Sequence, residues 1–118
     1  PRLNLDAEIR LNDINSRFMR FLELLGPYGP GNMQPKFAAR NLKVAGNPHI
    51  VGNGNHIRFK VKQERTSFPA IGFNLSEHYE DLINGSSVDL AFVVEVNEWR
   101  GKSTIQLNIR DIKQVYST

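Results

Sequence analysis

The side chains of this chain that could do chemistry fall into two sets, one suited to acid–base or metal work and one suited to holding anions. His49, His56 and His78 are the candidate metal ligands or proton carriers. None stands in a ligand spacing such as His-Glu-x-x-His, which puts two imidazoles on one helix face, so each reads as a surface residue. Two carboxylate pairs occur, Asp6/Glu8 and Glu80/Asp81. Charged side chains are mostly solvated, and both pairs read that way. Gly52-Asn53-Gly54 is glycine-rich but leads into a strand, whereas a phosphate cradle needs a helix N-terminus behind it. The residues therefore predict no catalytic group and no metal site within this chain.

The anion-holding set is better organised. In Asn55–Gln63, Ile57, Phe59 and Val61 alternate with His56, Arg58, Lys60 and Lys62. A period of two means a strand, with one face buried and the other carrying a ladder of positive charge. That ladder is either a solvated outer face or a track for an anionic ligand. Downstream, Glu98-Trp99-Arg100-Gly101-Lys102 places an indole beside two cations in a turn. Cations that follow phosphates, with rings on which bases stack at about 1–3 kcal/mol each, are what single-stranded nucleic acid requires. The alternative for Trp99 is a ring folded back over its own domain with Arg100 stacked on it. The candidate nucleic-acid contacts are thus His56, Arg58, Lys60, Lys62, Trp99, Arg100 and Lys102.

The totals set the frame for these residues. At 118 residues and 40% hydrophobic content, the chain is long and apolar enough for one ordinary domain. Cysteine is absent, which excludes a disulfide framework and thiolate metal sites and fits a reducing, cytoplasmic location. No apolar run approaches the roughly twenty residues that span a bilayer, so no membrane partner is expected. The chain begins with Pro1 and reads as a piece of a longer protein. Its net charge of +3 is unevenly spread. Residues 1–34 balance four basic against four acidic side chains, residues 35–75 carry seven against one, and residues 76–118 carry four against seven. Positive charge is concentrated around the alternating strand.

The elements that position these groups follow from periodicity and punctuation. Leu3, Leu5, Ala7, Ile9 and Leu11 alternate, predicting an extended segment over 3–11 with no visible partner. Asn12 is a candidate N-cap for a helix over about 13–25, in which Ile14, Phe18, Phe21, Leu22, Leu24 and Leu25 recur at helical spacing. Gly26 and Pro27 end it and open a rigid connector, in which Tyr28 is either a packing anchor or a stacking ring. Short strands follow. The first spans 36–45, with Arg40, Leu42 and Val44 on one parity, and a loop over 46–54 leads to the basic strand. A turn at Glu64-Arg65 opens a third strand over 66–73, where Pro69 argues for an edge or a bulge. Asn74 or Ser76 can cap a helix over 76–83, with Tyr79, Leu82 and Ile83 inward and Asn84-Gly85 closing it. The fourth strand runs through Val88–Val96 and the fifth through Ile105–Ile109. The fold class is therefore mainly β. Five strands with one helix between the third and fourth match the element order of an OB-fold, a Greek-key barrel, here preceded by a linker helix. OB-folds bind single strands across strands two and three, flanked by the loops joining strands one to two and four to five. The basic strand is the second, and the Trp99 turn joins the fourth to the fifth.

The string Leu24-Leu25-Gly26-Pro27-Tyr28-Gly29-Pro30-Gly31-Asn32, with Pro35 and Phe37 after it, resembles the linker of the RecJ family of single-strand-specific DNA exonucleases. Ala70-Ile71-Gly72-Phe73, Val88–Phe92, Asn97-Glu98-Trp99-Arg100-Gly101, Gln106-Leu107 and Asp111-Ile112 are similar to further stretches of that family. Met33 departs from it, standing where a proline is expected. The resemblance implies a parent with a manganese- or magnesium-dependent core, acting in DNA repair and recombination and degrading single-stranded DNA from its five-prime end. The Asp-His-His and Gly-Gly-His elements of that core are not in this sequence. It further implies that residues 1–34 are the tail of the catalytic half, its extended segment separated from its sheet partners, and residues 35–118 the OB-fold that grips DNA. Two other readings stand beside this one. The barrel could dock the nuclease onto a single-strand-binding protein or helicase, its basic face holding an acidic peptide, since fold alone does not fix function. Or the chain could be a small independent enzyme, which cleavage by this chain alone with added manganese would reveal.

Overall fold

A computed structural model describes residues 5–84 and 87–115. Leu3 and Gly85, which the sequence placed in an extended segment and at a helix end, lie outside the described residues. Among the described residues there are six strands and two helices: β1 (Ala7–Glu8), α1 (Ser16–Leu25), β2 (Phe37–Val51), β3 (His56–Gln63), β4 (Thr66–Gly72), α2 (Tyr79–Asn84), β5 (Ser87–Trp99) and β6 (Lys102–Val115). Turns of 3-10 helix at Leu11–Asp13 and Ser76–His78 lead into the two helices.

The chain is mainly β, in one sheet of order β1-β2-β3-β4-β6-β5 with an added β2–β5 pairing. The pairings of β2 to β6 therefore run in a closed circuit, antiparallel except where β4 meets β6 in parallel. Alternation drives this closure. Ile57, Phe59 and Val61 on β3 point inward with Leu90, Phe92 and Val94 of β5 and Leu107 and Ile109 of β6, forming one core. Each such side chain taken fully out of water contributes about 1.5–3 kcal/mol. Helix α2 sits between β4 and β5 and sends Leu82 into that core, while Ile83, expected inward, is exposed. The residue capping the turn before α2 is Leu75, with no side-chain bond from Asn74 or Ser76.

Two bulges shift what alternation alone predicts. Along β2, Ala39 pairs with Leu90 and Leu42 with Val88, so three steps on β2 match two on β5. Asn41 takes the extra step at φ 59, its N–H donating to Asp89 Oδ1 at 2.9 Å. This turns Arg40 outward while Leu42 stays buried, separating two residues that parity had put together. Farther along, Ala45 pairs with Lys60 and His49 with Arg58, four steps against two. Gly46 at φ +74 accommodates the excess. The first long strand therefore runs to Val51, absorbing the expected loop Gly46-Asn47-Pro48. Pro69 lies in the half of β4 that precedes its pairing with β6 at Ala70 and Ile71, where a missing N–H is tolerated.

The N-terminal segment is not left without a partner. Ala7 and Glu8 pair in parallel with Phe37 and Ala38, on the edge of β2 that β3 vacates when it ends at Gln63. The helix begins later than expected, at Ser16. Asn15 is its N-cap, accepting the Phe18 N–H at 3.0 Å, and Asn12 lies in the preceding turn. Leu11, Ile14 and Leu22 belong to the same core as the strands. One stripe of α1 faces the sheet, so Phe21, Leu24 and Leu25, which recur at helical spacing, are nonetheless 57%, 77% and 43% exposed. The connector clasps the end of α1. The Tyr28 hydroxyl donates to the Leu22 carbonyl, and Asn32 Nδ2 donates to the carbonyls of Leu25 and Pro27 at 3.0 and 2.7 Å. These bonds satisfy acceptors that a helix C-terminus leaves open, and they make Tyr28 a packing anchor.

Candidate nucleic-acid interface

Alternation along β3 fixes the direction of each cation. With Ile57, Phe59 and Val61 buried, Arg58, Lys60 and Lys62 stand on the outer face, all exposed. Their cross-strand neighbours share that face. Lys62 lies between Lys43 and Ser67, Lys60 between Ala45 and Pro69, and Arg58 between His49 and Ile71. The cross-strand neighbours of Lys60, Ala45 and Pro69, carry no charge. A groove of about 440 Å³ crosses this face, lined by His49, Arg58, Lys60, Pro69 and Gln106 among others.

Among the described residues, Arg58, Lys60 and Lys62 form no ion pair, whereas other cations of the chain do. Arg10 pairs with Glu64. Arg40 Nε meets Glu8 Oε1 at 2.7 Å and its Nη1 meets Asp89 Oδ2 at 3.5 Å. The hydrogen bond and charge of Glu8, and then the charge of Asp89, raise the Arg40 pKa above its ordinary value. The carboxylates of the two pairs, exposed except for the half-buried Asp81, also have partners. Asp6 accepts the Lys36 N–H at 2.8 Å, Glu80 the Asn84 amide at 3.2 Å, and Asp81 lies 3.0 Å from His78 Nδ1. Successive outward residues on β3 are about 7 Å apart. Mutual repulsion at that spacing in water is only about 0.6 kcal/mol per pair. The fold therefore tolerates three uncompensated cations in a row.

Trp99, Arg100 and Lys102 form the tip of the β5–β6 hairpin. Trp99 pairs with Lys102 across a two-residue turn in which Arg100 and Gly101 have φ 49 and 77. The indole is 71% exposed, with the Arg100 guanidinium 5.4 Å from its ring centre. Stacking by Arg100 occurs, but the ring is not folded back over the domain. Leu107 pairs with Ala70, so Lys102, five residues earlier, lies about 17 Å farther toward the β3–β4 turn at about 3.3 Å per residue. This hairpin therefore flanks the Gln63 end of β3, and the β2–β3 loop flanks the His56 end.

His56 is placed differently from the other candidates. It is half-buried, and its Nδ1 accepts the Asn74 N–H at 2.9 Å. Its ring lies against Gly52, where an added Cβ would come within 2.6 Å of His56 Cδ2, and Gly52 has φ +60. His49 and Gln106 on the groove went unrecognised in the sequence, His49 because its stretch reads as loop. Among the described residues no group of three or more His, Asp or Glu side chains is arranged to hold a metal ion. No described helix is long and apolar enough to cross a membrane.

Comparison with known proteins places this geometry. The RecJ OB domain family matches residues 5–111. The single-stranded-DNA-specific exonuclease RecJ of Bacillus subtilis is 25% identical over 111 residues, covering 94% of this chain and 14% of that protein. Its counterpart from Haemophilus influenzae is 27% identical over 112 residues, covering 93% and 19%. The chain thus spans less than a fifth of the length of these curated relatives. RecJ from Thermus thermophilus, solved in complex with Mn2+, shares the fold with a TM-score of 0.69 at 22% identity, over 98% of this chain and 16% of that one.

Proposed function

Because the chain belongs to the RecJ OB domain family, we propose that it is the single-stranded-DNA-binding module of a RecJ-like exonuclease. The observation that carries this reading is the row Arg58, Lys60 and Lys62, exposed and without ion pairs among the described residues, on the outer face of β3. The closed circuit of β2–β6 is then the five-stranded Greek-key barrel, with β3 as its second strand. The three cations track phosphates, while Trp99, flanked by Arg100 and Lys102, stacks a base at one end. His56 positions the loop at the other end. Residues 5–34 brace the barrel and lead back toward the catalytic half of the parent, which supplies the manganese or magnesium ions and the hydrolytic step. The module holds the strand, in the cytoplasm, for a repair or recombination nuclease, and does not itself cut.

Fluorescence anisotropy with a labelled single strand and the matching duplex tests this reading. Tighter binding of the single strand is expected, because only unpaired bases offer faces for stacking. Equal affinity for both would reduce the site to a non-specific basic patch.

A further inference from the structure

Phe73 stands just past the end of β4, outside every group assigned so far. The β3–β4 pairing runs from Gln63↔Thr66 to Ile57↔Gly72 without a shift. One further step in that register sets Phe73 opposite His56, on the outward parity shared by Arg58, Lys60 and Lys62. Its ring is 52% exposed. We propose that Phe73 is a second stacking platform for an unpaired nucleobase, at the end of the cationic row opposite Trp99. This rests on the reading of that face as a single-strand site.

A lone exposed ring is common on protein surfaces. What sets Phe73 apart is how firmly it is braced. The His56 ring meets it in a T-shaped contact, centres 5.2 Å apart and planes at 74°. His56 is itself held from two sides, by the Asn74 N–H on Nδ1 and by the bare backbone of Gly52 against its ring. Asn74 has φ 58, which turns the chain away directly after Phe73 and leaves the ring at the rim. A ring fixed in place before the ligand arrives loses little freedom on binding, which favours affinity. The level of His56 is six residues from that of Lys62, about 20 Å along β3. The cationic row thus runs between an aromatic side chain at each end, Phe73 and Trp99. Every base has a π-face, so the platform takes any unpaired base and adds grip without selecting sequence.

The test uses the 118-residue chain and a labelled oligothymidylate of about 16 nucleotides, the upper end of the footprint of one such barrel. Phe73→Leu keeps the apolar volume and removes the π-face. It is expected to weaken binding by about 5- to 150-fold, the range that one base–ring stack spans. The slope of log affinity against log salt should stay unchanged, because no phosphate contact is lost. Phe73→Tyr keeps the ring and should bind within about twofold of the unsubstituted chain, on the same argument. If the unsubstituted chain binds and Phe73→Leu binds equally well, or Phe73→Tyr falls as far as Phe73→Leu, the platform is refuted while the cationic site stands. No binding by the unsubstituted chain at low salt would overturn the site and the platform together.

Discussion

Gln63 accepts the Leu11 backbone N–H on its side-chain oxygen at 2.7 Å, while its amide nitrogen donates to the Arg40 carbonyl at 2.8 Å. The side chain thus acts as a substitute peptide unit at the step where β3 ends and β1 takes over the edge of β2. It ties the N-terminal segment to the strand that carries the cations. Gln63→Ala leaves a part-buried N–H and a carbonyl without these partners, a loss of about 1–3 kcal/mol. Urea unfolding should show a lower midpoint with an unchanged m-value. An unchanged midpoint would mean that water replaces the amide without loss.

Leu11 is fully buried in the same core as Phe59 and Leu107. Leu11→Ala should therefore cost about 2–5 kcal/mol, as truncations that open a cavity in a packed core do. A detachable tail would respond as a surface site does, within about 0.5 kcal/mol. The same unfolding measurement separates these outcomes.

At the hairpin tip, stability and binding should respond in opposite directions. Arg100 occupies the left-handed region, which costs an ordinary residue about 1–2 kcal/mol and asparagine less, and Asn-Gly is the favoured pair in such a turn. Arg100→Asn should raise the unfolding free energy by up to about 1 kcal/mol while weakening single-strand binding. Trp99→Ala should leave stability nearly unchanged, since the ring is mostly exposed, and weaken binding by about 1–3 kcal/mol. Quenching of the single indole of the sequence on addition of DNA provides an independent readout.

Much of this arrangement is legible in the sequence, but unevenly. The outward direction of Arg58, Lys60 and Lys62 follows from the alternation with Ile57, Phe59 and Val61, because burial of one parity dictates the other. The span 46–51 is not legible in that way. Gly46-Asn47-Pro48 has the composition of a loop, and only the partner strand shows that it is a bulge within β2. The outward turn of Arg40 depends likewise on Asn41 and its bond to Asp89, 48 residues away. The pairing of β1 with β2 is hidden because a helix and a connector intervene. His56 shares the period of its cationic neighbours, and what distinguishes it, Gly52 beneath and Asn74 across, comes from pairing rather than pattern. The predominance of strands was readable from the repeated alternation, and the short helical pattern after Phe73 marks α2.

The central claim is that Arg58, Lys60 and Lys62 hold the phosphates of a single strand. Anisotropy titrations between about 50 and 200 mM salt, with the unsubstituted chain and with all three residues changed to glutamine, test it most directly. Each phosphate neutralised on a single strand contributes about −0.7 to the slope of log affinity against log salt. Affinity should fall as salt rises, and loss of the three cations should make the slope shallower by about 2, with no fall in the unfolding midpoint. A slope that is the same in both proteins, with binding intact, would contradict the claim.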